Sequence, residues 1–151
     1  MFLFLGETYC RSDHKGRVVI PVAFRRSLLA EGESWLVLHR SIFKKCIEIY
    51  PKKRWLEKEI SLQEGLSEYN KRHDQFMQEY YRGMTEAELD GMGRILVPKK
   101  MLEMLGEEEL VVVGQGQKIL LWGKGEYEQA EVSFEGLEQL TQEVFKNKET
   151  V

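Results

Sequence analysis

Asp13-His14-Lys15-Gly16-Arg17-Val18-Val19-Ile20-Pro21 is repeated in outline by Asp90-Gly91-Met92-Gly93-Arg94-Ile95-Leu96-Val97-Pro98. Asp, Gly, Arg and Pro hold the same four places, and apolar residues fill the gap between Arg and Pro in both. Self-similarity of this kind is weighed before any local signal, because missing it misassigns the whole fold. Two copies are too few for a solenoid, so the pattern predicts two related half-domains packed as a pseudo-dimer.

The likeness continues outward. Val22-Ala23-Phe24-Arg25-Arg26-Ser27-Leu28-Leu29 and Lys99-Lys100-Met101-Leu102-Glu103-Met104-Leu105 each follow the proline and run to a glycine. Proline tolerates a helix start and glycine a helix end, so both stretches predict short helices. The apolar runs Trp35–Leu38 and Leu110–Val113 come next, then Cys46–Pro51 and Lys118–Gly123, all strand-like. Helical starts close each half, with Trp55 and Tyr127 at matching points. Each half therefore reads strand, turn, strand, short helix, strand, strand, helix, an α+β pattern. The apolar opening Met1–Leu5 reads as the first strand.

Between the halves, Trp55, Leu56, Ile60, Leu62, Leu66, Tyr69, Phe76, Met77, Tyr80 and Tyr81 recur at helical spacing over residues 51–83. Gly65 divides this stretch into two helices, and Ser67 is placed to cap the second. Phe134, Leu137, Leu140, Thr141, Val144 and Phe145 predict a further amphipathic helix over 134–147. The predicted organisation is a basic first repeat at 1–60, a helical linker at 61–83, and a second repeat with its C-terminal helix at 84–151.

The chain has 151 residues, 42% of them hydrophobic and 11% aromatic, enough to build a core. No apolar run approaches the ~20 residues that span a bilayer, and Met1–Leu5 lacks the basic flank of a secretory signal. Cys10 and Cys46 read as small buried hydrophobes in strands, with neither disulfide nor metal pairing expected. The net charge of −3 is unevenly spread. Residues 1–60 hold twelve Lys and Arg against seven Asp and Glu, a net of +5; residues 61–151 hold ten against eighteen, a net of −8. A basic face on the first half suits phosphate, while the acidic remainder favours solubility.

The motif itself is a turn. Glycine supplies a positive φ or a close backbone approach, and Asp can bond the N–H groups just ahead of it. Arg17 and Arg94 can pair with their own Asp or project toward an outside anion. In the first half Arg11, His14, Lys15, Arg17, Arg25 and Arg26 crowd one strand-turn-strand-helix unit, more cation than a turn requires. Arginine matches phosphate and guanine edges, and a two-stranded ribbon fits the DNA major groove.

The doubled Asp-x-x-Gly-Arg-x-x-x-Pro resembles the MraZ family of bacterial transcriptional regulators over nearly the whole chain. The opening Met1-Phe2, Leu110-Val111-Val112-Val113-Gly114-Gln115 and Leu121-Trp122 carry the same resemblance. It implies two tandem AbrB-like swapped-hairpin units and a cytoplasmic, nucleoid-associated protein that binds double-stranded DNA. It implies ring-like homo-oligomers on promoter direct repeats ahead of the division and cell-wall genes, no cofactor, no membrane partner and no enzyme activity. Arg17 and Lys15 then become the first DNA-contact candidates, with Arg25 on phosphate and Arg11 nearby. Asp13 and Gly16 shape the loop, as do Asp90 and Gly93 in the second half. Arg94 either touches DNA or fixes its turn, and Met92 stands where the first motif has Lys15. Phe76, Tyr80, Phe134 and Phe145 are the candidate ring anchors.

Ser12, Asp13 and His14 are sequence neighbours, whereas catalytic triads meet through the fold. His39 sits at a strand end and His73 on a helix face, and no zinc-ligand spacing exists. Tyr80-Tyr81-Arg82 reads as core, Gly114-Gln115-Gly116 as a hairpin turn and Glu107–Glu109 as a solvated loop. The rival functions are a protein-binding scaffold and an AbrB-like antitoxin.

Overall fold

The computed structural model describes residues 1–149, with side chains to Lys146; Thr150 and Val151, assigned to the second repeat from sequence, lie outside the described residues. In the first half, β1 (Glu7–Arg11), β2 (Arg17–Val19), α1 (Val22–Ala30), β3 (Trp35–Arg40) and β4 (Cys46–Pro51) lead to α2 (Lys52–Glu64) and α3 (Lys71–Tyr80). The second half repeats the series as β5 (Thr85–Glu88), β6 (Arg94–Leu96), α4 (Lys99–Leu105), β7 (Glu109–Gln115), β8 (Lys118–Gly123) and α5 (Lys124–Gln129), then adds α6 (Phe134–Glu149). This is the α+β class the sequence predicts.

The two halves share their sheets. Six antiparallel strands run in the order β1-β7-β8-β4-β3-β5, and β2 pairs with β6 as a separate ribbon. The opening strand of each half thus lies on the third strand of the other: β1 on β7, and β5 on β3. The fourth strands meet at the centre, where Ile47 faces Leu121, Ile49 faces Ile119 and Glu48 faces Leu120. That register is symmetric under exchange of the repeats, so the chain carries an internal pseudo-twofold axis at the Glu48–Leu120 pair.

The apolar pattern explains the layers. Leu36, Leu38, Ile47, Ile49, Leu110, Val112, Ile119 and Leu121 point from one face of the sheet. They pack against Val18 and Ile95 of the ribbon, Phe24 and Leu28 of α1, and Met101 and Leu105 of α4. On the opposite face α2 lies over β3 and β4, and α5 over β7 and β8. All three prolines precede helices: Pro21 before α1, Pro51 before α2 and Pro98 before α4. Their fixed φ suits that place, and the missing N–H is not required there.

Several local expectations change. Met1–Leu5 is not a strand; only Phe4 bridges, to Gly116. Its backbone crosses Gly114 so closely that any Cβ there would overlap Phe4, and this crossing seats Phe2 and Phe4 in the core. The cap of α3 is Asn70, whose Oδ1 accepts from the N–H of Arg72 at 2.9 Å and of His73 at 3.1 Å; Ser67 lies a few residues before that turn. Tyr80 and Tyr81 are half-buried rather than core and join α3 to α2, through Lys58 and through Glu59 and Gln63. Glu107–Glu109 is not a free solvated loop. Glu107 accepts from the N–H of Gly125 and Glu126 at the start of α5, and Glu109 begins β7. The sequence also hid a buried polar tie at the axis. Glu48, from the first half, accepts from Lys118 of the second at 2.9 Å and from Tyr50 at 3.1 Å.

Candidate nucleic-acid interface

Both glycine loops are built by one set of bonds. In the first, Asp13 Oδ1 accepts from the N–H of Lys15 at 2.9 Å and of Arg17 at 2.8 Å, and Oδ2 accepts from Arg17 Nε at 2.6 Å. In the second, Asp90 Oδ1 accepts from the N–H of Met92 at 2.9 Å and of Arg94 at 2.8 Å, and Oδ2 from Arg94 Nε at 2.9 Å. Gly16 has φ 88° and Gly93 φ 77°, the left-handed region where a side chain is strained. Hydrogen bonds from the Arg17 backbone, then its side chain, lower the Asp13 carboxyl to about 2. Asp90 is lowered as well, by the backbone of Arg94 foremost. Both aspartates are therefore ionised at neutral pH.

The question of where each arginine points is answered by these bonds. Each spends its Nε on its own aspartate, and the terminal guanidinium nitrogens of Arg17 and Arg94 have no acceptor among the described residues. The side chains remain 28% and 24% exposed. The aspartate thus acts as a buttress that orients a guanidinium fork. A fork already held loses less freedom on binding than a free arginine.

The ribbon sets the spacing of the two forks. Arg17 pairs with Leu96 and Arg94 with Val19, so the arginines stand at opposite ends of three antiparallel pairs. Val18 and Ile95 are buried beneath, while Val19 and Leu96 are exposed between the arginines. Gly16 C=O accepts from Val97 N–H at 2.9 Å, and Gly93 C=O from Ile20 N–H at 2.8 Å, so each loop closes on the other half. At roughly 3.3 Å per residue, the two steps from Arg17 to Val19, which faces Arg94, set the forks about 7 Å apart along the ribbon, and the four steps from Gly16 to Ile20 set the loop glycines about 13 Å apart.

The other sequence candidates fall in different places. Lys15 and His14 are exposed at the tip of the first loop. Arg11 ends β1 and bonds Glu108 at 3.3 Å and Glu109 at 3.1 Å. Arg25 is the least expected. Grouped with the first loop in sequence, it lies across Gly93 of the second, where an added methyl would overlap its guanidinium. Its buried Nε has no hydrogen-bond partner among the described residues. Leu102, at the same offset from Pro98 as Arg25 from Pro21, covers Gly16 instead. The equal offsets were visible in the sequence; the exchange between halves that gives them meaning was not.

Comparison with known proteins adds the family. The family model described as "MraZ protein, putative antitoxin-like" matches residues 3–77 and again 80–148. The chain is similar to a protein named transcriptional regulator MraZ from Bacteroides fragilis, 34% identical over 125 residues, covering 82% of this chain and 79% of the relative. A protein of the same name from Bacteroides thetaiotaomicron is 31% identical over 149 residues, covering 98% and 96%. One from Desulforamulus reducens is 34% identical over 140 residues, covering 89% and 94%. With both halves matched and most of each relative covered, the chain belongs to the MraZ family.

Proposed function

We propose that this protein is a transcriptional regulator that grips duplex DNA with the β2–β6 ribbon. The observation that carries the reading is the pair of aspartate-buttressed arginines at the two ends of that ribbon. A guanidinium fork bonds the O6 and N7 of guanine, and the ~12 Å major groove admits a two-stranded ribbon. Lys15 and Arg25 add cations, one beside each fork, for phosphate; Arg11 is already neutralised by two glutamates. The names of the relatives agree with a role in transcription.

One ribbon makes few contacts, so a single subunit binds weakly. We infer a homo-oligomeric ring that presents the ribbon repeatedly to direct repeats in a promoter, each engaged site raising the effective concentration of the next. Leu137, Leu140 and Val144 form an exposed apolar stripe on α6, and Leu56 and Ile60 are exposed on α2. Such surface suits self-association. The setting is the cytoplasm, on the nucleoid, and the regulation is steric: a protein ring on a promoter obstructs polymerase.

Fluorescence anisotropy with a duplex carrying tandem repeats from the chain's own upstream region tests this reading. The parent protein is expected to bind with an affinity that falls steeply with salt. Arg17→Ala should abolish binding while the mass in solution, by light scattering, stays that of the parent. Unchanged affinity in Arg17→Ala would remove the ribbon from the interface.

A further inference from the structure

A second site lies away from both glycine loops. Glu7, Tyr9, Lys44, Trp122, Tyr127, Glu128, Ala130 and Glu131 line a cleft of about 370 Å³. The sheet register explains its shape. Tyr9 on β1 pairs with Val111 on β7, which pairs with Trp122 on β8, so these three stand in one row across the sheet. Val111 is fully buried, with Tyr127 packed over its cluster, and Tyr9, Trp122 and Tyr127 are the aromatic residues that line the cleft. At about 4.8 Å per strand the backbones of Tyr9 and Trp122 are about 9.5 Å apart. Tyr127 from α5 closes a third side, tilted against Trp122 at 5.7 Å between centroids, and its hydroxyl donates to Glu7.

We propose that this cleft binds an organic ammonium ion of the di- or polyamine class. The aromatic lining offers ring faces to a cation, whose attraction reaches ~6 Å from a ring centroid. The chain's own lysines show that these ring faces draw cations: Lys44 Nζ lies 5.8 Å from the Trp122 ring and Lys124 Nζ 5.8 Å from the Tyr9 ring. Both are also tied elsewhere, Lys44 to Gln115 and Lys124 to Glu109, and stand at the limit of that reach. The carboxylates of Glu7, Glu128 and Glu131 against one lining lysine leave two negative charges in excess. A di- or polyammonium ion matches the sign of that excess, and its methylene spacers suit the aromatic lining. Alkali and alkaline-earth ions, strongly hydrated and without methylenes, gain less there.

The test is calorimetric titration of the intact protein with spermidine, with no DNA present. Saturable binding is expected at one site per chain. Tyr9→Leu, at a side chain 48% exposed on an edge strand, should weaken it about fivefold. The pair Glu128→Gln and Glu131→Gln should weaken it about tenfold and flatten its salt dependence. The charge-matched pair Glu135→Gln and Glu138→Gln on α6 should leave it as in the parent. Three results overturn the proposal. One is equal weakening by the α6 pair, which marks a diffuse ion atmosphere. The second is equal affinity for Mg²⁺. The third is tighter binding of a capped lysine tripeptide than of spermidine, which assigns the cleft to a protein side chain. If Tyr9→Leu proves unstable, the glutamate pairs alone decide.

Discussion

The loops at Asp13–Arg17 and Asp90–Arg94 share every backbone and aspartate bond yet differ in what surrounds them. The first exposes Lys15 at its tip, where the second exposes Met92. Leu102 covers the first glycine, and Arg25 covers the second. Because each covering residue comes from the opposite half, the first half supplies a cation to both loops: Lys15 to its own and Arg25 to its neighbour. The charge excess of residues 1–60 is thus shared across the ribbon instead of staying with one repeat. The two loops keep one scaffold of bonds and differ at the positions that the scaffold leaves free.

The largest effects should be those the two halves share. Leu28 and Leu105 hold the same offset from their prolines and are 0% and 1% exposed in one core. Leu28→Ala and Leu105→Ala should each cost about 3 kcal/mol, read as a shift in urea midpoint at unchanged slope. A wide inequality between them would break the pseudo-symmetry at the level of packing.

The arginine pair should come next and sharpen the contrast. Arg17→Ala is expected to lose about 2 kcal/mol of DNA affinity for each engaged subunit. Arg94→Ala should lose less, because Met92 and not a lysine stands at the tip of that loop. Measurement of both at one salt concentration decides the ranking. Equal losses would mean the ribbon uses its two ends alike, and a larger loss in Arg94→Ala would reverse the assignment of the stronger end.

What was legible in the sequence is what short-range chemistry dictates. The Asp-x-x-Gly-Arg turn, the prolines ahead of helices and the break at Gly65 each depend on residues within a few positions of one another. The partners of β1 and β5 were not legible from the residues themselves, because an apolar strand carries no local mark of which strand it joins. Arg25 stands beside the first loop in sequence and over the second in space for that reason: its neighbour, Gly93, comes from the other half. Asn70 in place of Ser67 is a milder case, since both residues cap well and helix length decides between them. Glu107 gave no local sign that it would cap α5, and Glu48 none that a lysine of the second half would meet it.

The glycines separate stability from function. An alanine at either position carries the left-handed strain of about 1–2 kcal/mol. At Gly16 the new Cβ would also lie 3.1 Å from the backbone oxygen of Val97 and 3.3 Å from Leu102, and a backbone atom cannot swing away. At Gly93 the nearest atoms it would meet all belong to Arg25, the end of a flexible side chain. Gly16→Ala should therefore cost about 2 kcal/mol in a thermal or urea melt and Gly93→Ala about 1. Gly93→Ala should lose DNA affinity beyond its stability cost, because Arg25 is displaced. If the two melts coincide and Gly93→Ala binds as the parent does, Arg25 plays no part in the grip.

The smallest effect separates the aspartates by pH. The bonds from Arg17 and Lys15 hold Asp13 at about 2 against an ordinary 3.8, and Asp90 is lowered by the equivalent set. A folded-state value below the unfolded one adds stability that is complete above the unfolded value. It fades as pH falls from about 4 and is gone below about 2. Both carboxylates are partly exposed, so solvent screening keeps the contribution modest. Carboxyl carbon shifts followed by NMR from pH 5 downward should show Asp13 titrating near 2. In Arg17→Ala, which removes the guanidinium but keeps both backbone donors, Asp13 should rise only part of the way to 3.8. A full return would place the buttress in the ion pair alone, and the loop bonds would then be too weak to aim the arginine.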